Sequence, residues 1–159
     1  MKKKWMICIA IVLVAALAVF GMMNRKNSPQ GEGLQINSNG KTVTVSFADL
    51  NQTAFEGDLV NGKGEVSHHE YQGVELNVLL SANNITVSDD TVVTATSEDK
   101  YSAELSGAEV LEAGKVYIAV TADGEKLEGI EGGEGAQLIV FGDSNSKRAV
   151  RYLKVIDIQ

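Results

Sequence analysis

Few side chains in this 159-residue sequence could bind a metal or act as a nucleophile. Its only cysteine, Cys8, lies in an apolar run, so the remainder has no thiol for a disulfide, a thiolate–metal bond or covalent catalysis. The only histidines, His68 and His69, are adjacent, and neighbouring side chains of a strand point to opposite faces. Without a spaced third ligand they do not match a metal site. We therefore predict no metal site and no catalytic residue.

Two arginines near the C-terminus are the best candidates for holding a polar ligand. Arg148 and Arg151 lie in an acidic region, and a guanidinium offers several donors in one plane. We predict a last strand at 148–158, in which their odd spacing places them on opposite faces, so only one could enter a given pocket. Pairing with nearby carboxylates is the alternative, and the sequence leaves both interpretations open.

Four other positions are weaker candidates for contact with a ligand. His69 could stack on a heterocycle or hydrogen-bond to it, or it could lie on a solvated edge strand. Tyr71 could offer its ring face to a pocket, or it could pack against the following helix. Asp143 and Asn145 lie in a polar turn just before Arg148, where they could bind the edge of a ring or only turn the chain.

The first 26 residues have the pattern of a membrane-targeting segment. Residues 5–23 carry no charge, and at ~1.5 Å per residue they span about 28 Å, close to the hydrocarbon core of a bilayer. A small-residue exit at 16–18 lies inside this run, which favours an uncleaved anchor; cleavage there would instead release a secreted domain. The positive charges at 2–4 and the amino terminus outweigh those at 25–26, which predicts an extracytoplasmic domain.

The charge of the remaining chain limits its partners. Residues 27–33 form a polar linker and residues 34–159 a single domain. All 21 acidic residues but only nine of the 14 basic ones follow residue 26, which gives this region a formal charge of −12. Such a surface repels nucleic acid and anionic lipid, so we expect no nucleic-acid partner.

The hydrophobic pattern predicts an α+β fold that is mainly β, with mixed sheets and two or three short helices. Asn39 and Gly40 supply the positive φ of a tight hairpin between strands at 34–37 and 41–47. We predict one helical turn at 47–50 and helices at 74–82 and 108–113. Further strands are predicted at 52–61, 65–71, 91–96, 101–105, 116–121, 137–141 and 148–158.

The order of short motifs resembles the molybdopterin-binding domain of the sulfite oxidase family. YQGVEL at 71–76, followed by Leu79 and Leu80, is similar to the family's W/Y-x-G-V-P-L-x-x-L-L, and KYSA at 100–103 is similar to G-Y-S/T-A. The remaining matches are VSFADL at 45–50, DGEKL at 123–127, GEGAQLIV at 133–140 and RAVRYL at 148–153. The resemblance covers residues 41–158 and implies the family's fold.

The sequence departs from the family where the metal is bound. In the family's enzymes a cysteine thiolate binds molybdenum at the end of the strand before W/Y-x-G-V, and Asn61, within a residue or two, takes that place here. An amide does not replace a soft anionic sulfur as a metal ligand. The family's arginine in G-G-P-L-R is Gln137, whereas Arg148 and Arg151 keep positive charge in the closing motif.

The resemblance therefore implies a binding module in place of a molybdenum enzyme. The chain is similar to small exported proteins that look like cofactor-free pterin binders. We expect a small heterocycle, such as a pterin, to contact Asn61, His69, Tyr71, Asp143, Asn145 and Arg148. The expected partners are this ligand, the membrane through residues 5–23 and a membrane protein that senses occupancy. An interaction domain with a degenerate pocket is the first alternative, and a molybdopterin-dependent oxidoreductase is the second.

The charge step across residues 5–23 gives a testable topology. We expect protease added to intact protoplasts to remove the domain, because it lies outside the cytoplasm. Immunoblotting for the full-length chain measures this, and lysed protoplasts provide the control for protease sensitivity. Survival of the full-length chain in intact protoplasts but not in lysate would contradict the topology.

Overall fold

The computed structural model describes residues 33–159. The predicted apolar span at 5–23, and all but the last residue of the predicted linker, lie outside this part of the chain. Within residues 33–159, none of the helices has the length and apolar character needed to cross a membrane.

Residues 33–159 form ten strands in two mixed or antiparallel sheets, with few and short helices. The first sheet has the order β2-β1-β10-β5-β6, and only β1 and β10 pair in parallel. The second has the order β3-β4-β7-β8, with β9 also paired to β7. The strands are β1 (Leu34–Ser38), β2 (Lys41–Val45), β3 (Thr53–Val60), β4 (Val66–Glu75), β5 (Val92–Ser97), β6 (Ser102–Ser106), β7 (Val116–Ala122), β8 (Glu125–Lys126), β9 (Gln137–Val140) and β10 (Leu153–Ile158).

The helices are α1 (Leu76–Ala82), α2 (Gly107–Leu111) and two 3₁₀ helices, Phe47–Leu50 and Ser146–Arg148. This confirms the α+β, mainly β class. The hairpin turn is also as predicted, because Asn39 and Gly40 both have positive φ. Polar residues cap three of these helices: Ser46 accepts from Asp49 N, Ser106 forms a reciprocal capping box with Glu109, and Asn145 caps the helix at Ser146–Arg148.

Two predicted boundaries are wrong for identifiable reasons. The helix predicted at 74–82 begins only at Leu76, because Val74 and Glu75 still pair with β7. The strand predicted at 148–158 begins only at Leu153. Arg148 ends a 3₁₀ helix instead, and Tyr152 has a φ of 53°, which a strand does not permit.

The second sheet is apolar on both faces. Along β7 and β9, Ile118 and Leu138 enter the main core, which contains residues from both sheets and from α1. Their neighbours Ala119 and Ile139 point to the opposite face, as the two-residue period of a strand requires. On that outer face they join a smaller cluster with four aromatic side chains, Phe55, Tyr71, Tyr117 and Phe141.

The aromatic cluster is tightly stacked. The rings of Phe55 and Tyr117 lie 4.2 Å apart and nearly parallel, and Tyr71 stacks on Phe55 at 5.2 Å. Phe141 meets both Phe55 and Tyr117 edge-on. Its ring lies over Gly57 of β3, where any Cβ atom would overlap it.

Gly73 shows why the YQGVEL motif needs a glycine. It is buried beside a register shift in the β4–β7 pairing, and a Cβ atom there would overlap the carbonyl of Ile118. The obstacle is backbone, so it cannot move aside as a side chain would.

We expect Gly73→Ala to lower the free energy of unfolding by more than about 2 kcal/mol, because β4 and β7 must separate locally. Urea denaturation of the full-length chain measures this loss. Gly62→Ala is the matched control, since Gly62 lies in an exposed turn and a Cβ atom added there would have no atom within 4 Å. Equal stability of the two variants would contradict the close packing of β4 on β7.

Candidate functional site

An open cleft of about 370 Å³ lies at one side of the aromatic cluster. Leu59 of β3 and Gln137 of β9 come from the second sheet. Asp99 and Tyr101 come from the turn between β5 and β6. The segment before β10 completes the wall with Ser146, Ala149, Arg151 and Tyr152. The cleft therefore lies where the outer face of the second sheet meets two loops at the end of the first.

The β5–β6 turn presents an ordered carboxylate to this cleft. The hydroxyl of Ser97, which is only 2% exposed, donates to Oδ1 of Asp99, and the backbone N–H of Tyr101 donates to the same oxygen at 3.1 Å. These hydrogen bonds lower the pKa of Asp99 from its ordinary value, with the Ser97 bond as the largest cause. Because an exposed aspartate is ordinarily ionised at neutral pH, the main effect of these hydrogen bonds is to fix the orientation of the Asp99 carboxylate.

Hydrogen bonds connect residues 142–152, on the other side of the cleft, to the β5–β6 turn. The phenol of Tyr101 donates to the carbonyl of Lys147, and the N–H of Glu98 donates to the carbonyl of Tyr152 at 2.9 Å. Tyr152 holds a left-handed backbone conformation that is unusual for a large aromatic residue. Tyr101 and Tyr152 are 49% and 38% exposed, so both rings are accessible from the cleft.

Arg148 lies behind this wall, between two carboxylates. Its Nη1 and Nη2 donate to the two oxygens of Glu109 at 3.1 and 2.8 Å, while Nε and Nη2 donate to Asp143 at 2.9 and 2.5 Å. Glu109 in turn accepts the backbone N–H of Ser106 at the start of α2. The guanidinium therefore joins α2 to the 142–152 segment through two bidentate pairs.

Arg148, Glu109 and Asp143 form a charged clamp, in which the guanidinium and the carboxylates stabilise each other's charge. The hydrogen bond from Arg148 is the largest cause that lowers the pKa of Glu109 from 4.5 to about 2. The carboxylates of Asp143 and Glu109 raise the pKa of Arg148 in return. The alternative interpretation given for Arg148, pairing with nearby carboxylates, describes these contacts.

The polar turn before Arg148 serves the same clamp. Asp143 binds the guanidinium, and the side chain of Asn145 accepts from Lys147 N at 3.1 Å, which caps the short 3₁₀ helix. Neither residue lines the cleft, whereas Ser146 and Ala149 of the same segment do.

The other three predicted contact residues lie apart from the cleft. Asn61 shapes the exposed turn between β3 and β4, where its Oδ1 accepts from Lys63 N and Glu65 N. Tyr71 is buried in the aromatic cluster, and burial is the main cause that raises its pKa to about 12. None of the six residues predicted to contact a ligand lines this cleft, and a ligand-binding role for them stays a prediction.

The two histidines diverge as adjacent strand residues must. His68 Nδ1 lies 2.8 Å from Asp58, and this hydrogen bond is the largest cause that raises the pKa of His68. His69 points the other way and has Asp123 at 2.7 Å and Ser67 at 2.9 Å from its two ring nitrogens. Among residues 33–159, no three His, Cys, Asp or Glu side chains are grouped closely enough to hold a metal ion.

Some of the cleft residues that sequence reasoning missed lie inside the motifs it used. Tyr101 is part of KYSA, Gln137 replaces the family's arginine, and Arg151 was weighed beside Arg148. Leu59 lies two residues before Asn61, on the strand face that looks into the cleft. Nothing in the sequence indicated that Ser97 and Asp99 line a cleft, because polar residues between two strands are ordinarily interpreted as a turn.

Comparison with protein families and known structures gives this geometry its context. The family model described as the oxidoreductase molybdopterin binding domain matches residues 17–159. The chain belongs to this family. Comparison with curated protein sequences gives no match.

Among solved structures, the chain is similar to the crystal structure of the sulfane dehydrogenase SoxCD from Paracoccus pantotrophus. The TM-score is 0.62 at 22% identity, and the match covers 84% of this chain. It covers 39% of the SoxCD chain, so the domain spans about two fifths of that protein's length. The likeness confirms the sulfite oxidase-type fold of this member of the molybdopterin-binding domain family.

The residues around the cleft do not fit the metal that such a domain would carry. Bound molybdopterin supplies a molybdenum centre, for which the resemblance implies a cysteine thiolate from the protein. Residues 33–159 contain no cysteine, and Leu59 gives the end of β3 an apolar side chain at the cleft. The carboxylate of Asp99 is a hard oxygen donor and is already bound by Ser97 and Tyr101.

The clamp predicts a structural cost for Arg148→Ala. We expect the free energy of unfolding to fall by about 1–3 kcal/mol, because two partly buried carboxylates lose their shared partner. Urea denaturation at pH 7 measures this loss. Arg151→Ala is the matched control: its guanidinium is exposed, and we expect a change within about 0.5 kcal/mol.

Acid titration separates the clamp from a general packing effect. Because the folded pKa of Glu109 lies below its ordinary value, its contribution is present above about pH 4.5 and is lost as the pH falls toward 2. The wild-type chain should therefore lose more stability over this interval than Arg148→Ala. Identical acid dependence in both chains would contradict the charge coupling.

Proposed function

We propose that this domain binds a small planar heterocycle, such as a pterin, in the cleft and does so without molybdenum chemistry. The observation that carries the proposal is the set of side chains brought together there. Tyr101, Gln137 and Arg151 come from three separate family motifs and meet at one cleft. Motifs that are distant in sequence but converge on one cavity are typical of a binding site.

The cleft offers both a ring face and ring-edge contacts. The exposed rings of Tyr101 and Tyr152 can stack on a flat ligand, a contact that also suits an aromatic heterocycle. Gln137 supplies an amide that can both donate and accept. Arg151 supplies donors directed at carbonyl or ring-nitrogen acceptors. No carboxylate within residues 33–159 lies within ion-pair distance of Arg151, which leaves its guanidinium available to a ligand.

The same residues favour binding over catalysis. Molybdenum has no thiolate ligand in this part of the chain, and the hydroxyl of Ser97 is used by Asp99 instead of being directed at a general base. An enzymatic role would need groups that these residues do not supply. We therefore propose a holding or sensing function.

The proposed location follows from the first 26 residues. An uncleaved apolar anchor at 5–23 with positive charge on its N-terminal side supports a single-pass protein whose domain faces out of the cytoplasm. A domain with no thiol also suits an oxidising compartment. In this arrangement a membrane protein could respond to occupancy of the cleft.

Titration of the full-length chain with pterin tests the proposal. Stacking on tyrosine should quench pterin fluorescence saturably, and Arg151→Ala should weaken the affinity about tenfold, because one charge-assisted hydrogen bond is lost. The melting temperature of the variant should remain that of the wild type.

Lys63→Ala is the matched control, since Lys63 is an exposed cation of the β3–β4 turn outside the cleft. It should bind pterin like the wild type. Absence of saturable binding by the wild-type chain would contradict the proposal and favour an interaction domain with a degenerate pocket.

A further inference from the structure

The carboxylate of Asp99 sets which heterocycle the cleft can accept, an inference that rests on the proposed function. Four of the nine residues that line the cleft are aromatic, amide or cationic, and Asp99 is the acidic residue among the nine. An anion here favours ligands that present N–H donors and disfavours ligands that present oxygen acceptors or phosphate. Asp99 and Arg151 both line the cleft, so the site contains one acidic and one basic group.

Asp99 is oriented before any ligand arrives. Both acceptor directions of its Oδ1 are taken, one by the hydroxyl of Ser97 and one by the N–H of Tyr101. Ser97 is itself buried and also lies within 3.2 Å of the carbonyl of Tyr101, so it holds the turn as a unit. The acceptor directions that remain belong to Oδ2.

A pair of neighbouring N–H donors on one ring edge matches this acceptor. In a 2-amino-4-oxopyrimidine ring, the amino group and N3–H are adjacent and point the same way, so both can converge on the remaining oxygen, Oδ2 of Asp99. We infer that Asp99 binds the 2-amino and N3–H edge of a fused 2-amino-4-oxopyrimidine, with Arg151 and Gln137 at the carbonyl and ring nitrogens. Pterins and guanines share this edge.

The arrangement rejects rings that differ at a single substituent. Lumazine is the 2,4-dioxo counterpart of pterin and has a carbonyl in place of the 2-amino group. That carbonyl would face the carboxylate of Asp99. One N–H···O hydrogen bond would be lost, and two acceptor oxygens would repel each other. We expect the wild-type chain to bind pterin at least about tenfold more tightly than lumazine.

Asp99→Asn tests this assignment with little disturbance of the turn. The amide oxygen can still accept from Ser97 and Tyr101, which directs the amide NH₂ toward the ligand. This NH₂ group would repel the 2-amino group of pterin, whereas it can donate a hydrogen bond to the 2-carbonyl of lumazine. We expect the affinity for pterin to fall about tenfold to a hundredfold and the affinity for lumazine to rise, so that the preference reverses.

The experiment is a calorimetric or fluorescence titration of full-length wild-type, Asp99→Asn and Asp90→Asn chains with pterin, lumazine and guanosine. Asp90 is an exposed acidic residue of another turn, so Asp90→Asn matches the change in charge outside the cleft. It should retain the wild-type preference for pterin. Melting curves of all three chains identify any loss of folding.

The outcomes separate this inference from the proposed function. Pterin and lumazine binding equally to the wild type, or Asp99→Asn leaving their ratio unchanged, would overturn the role of Asp99 while pterin binding itself stands. Failure of the wild type to bind any of the three rings would overturn the proposed function. Tighter binding of guanosine than of pterin, with the same loss in Asp99→Asn, would support the edge recognition and contradict a pterin as the ligand.

Discussion

The guanidinium of Arg148 holds the segment on which the cleft depends. Residues 142–152 contain one short 3₁₀ helix and a tyrosine with positive φ, so regular backbone pairing contributes little to their conformation. Two bidentate pairs to Glu109 and Asp143 fix this segment against α2. The hydroxyl of Tyr101 then ties it to the β5–β6 turn. Because Ser146, Ala149 and the residues that follow form one wall of the cleft, a clamp outside the cleft determines its shape.

The second sheet, which is apolar on both faces, supplies the other wall of the cleft. One face completes the main core, and the other carries stacked aromatic rings that end beside Leu59 and Gln137. Gly57 and Gly73 allow this arrangement, since the first lies under the ring of Phe141 and the second against the backbone of β7. The fold of the molybdopterin-binding domain is thus kept, while the end of β3 carries an apolar side chain and no thiolate.

Local patterns in the sequence predicted most of the elements, because a strand, a hairpin turn or a capped helix is encoded by neighbouring residues. The Asn39-Gly40 turn and the alternation along β2 are examples. The last strand was predicted to begin at residue 148, whereas it begins at Leu153. Arg148 instead pairs with Glu109, which lies 39 residues away in sequence, so the residues around Arg148 do not reveal this contact. The cleft residues were found only in part for the same reason, since Asp99 acquires its role from a loop that approaches it in three dimensions.

The cleft between the β5–β6 turn and residues 146–152 is central, because it is where we propose that a heterocycle binds. A crystal structure of the chain soaked with pterin tests this claim most directly. We predict a flat ring in the cleft, against a tyrosine face, with its amino edge toward Asp99 and its opposite edge toward Arg151. Ordered pterin elsewhere on the domain, with the cleft filled only by solvent, would contradict it.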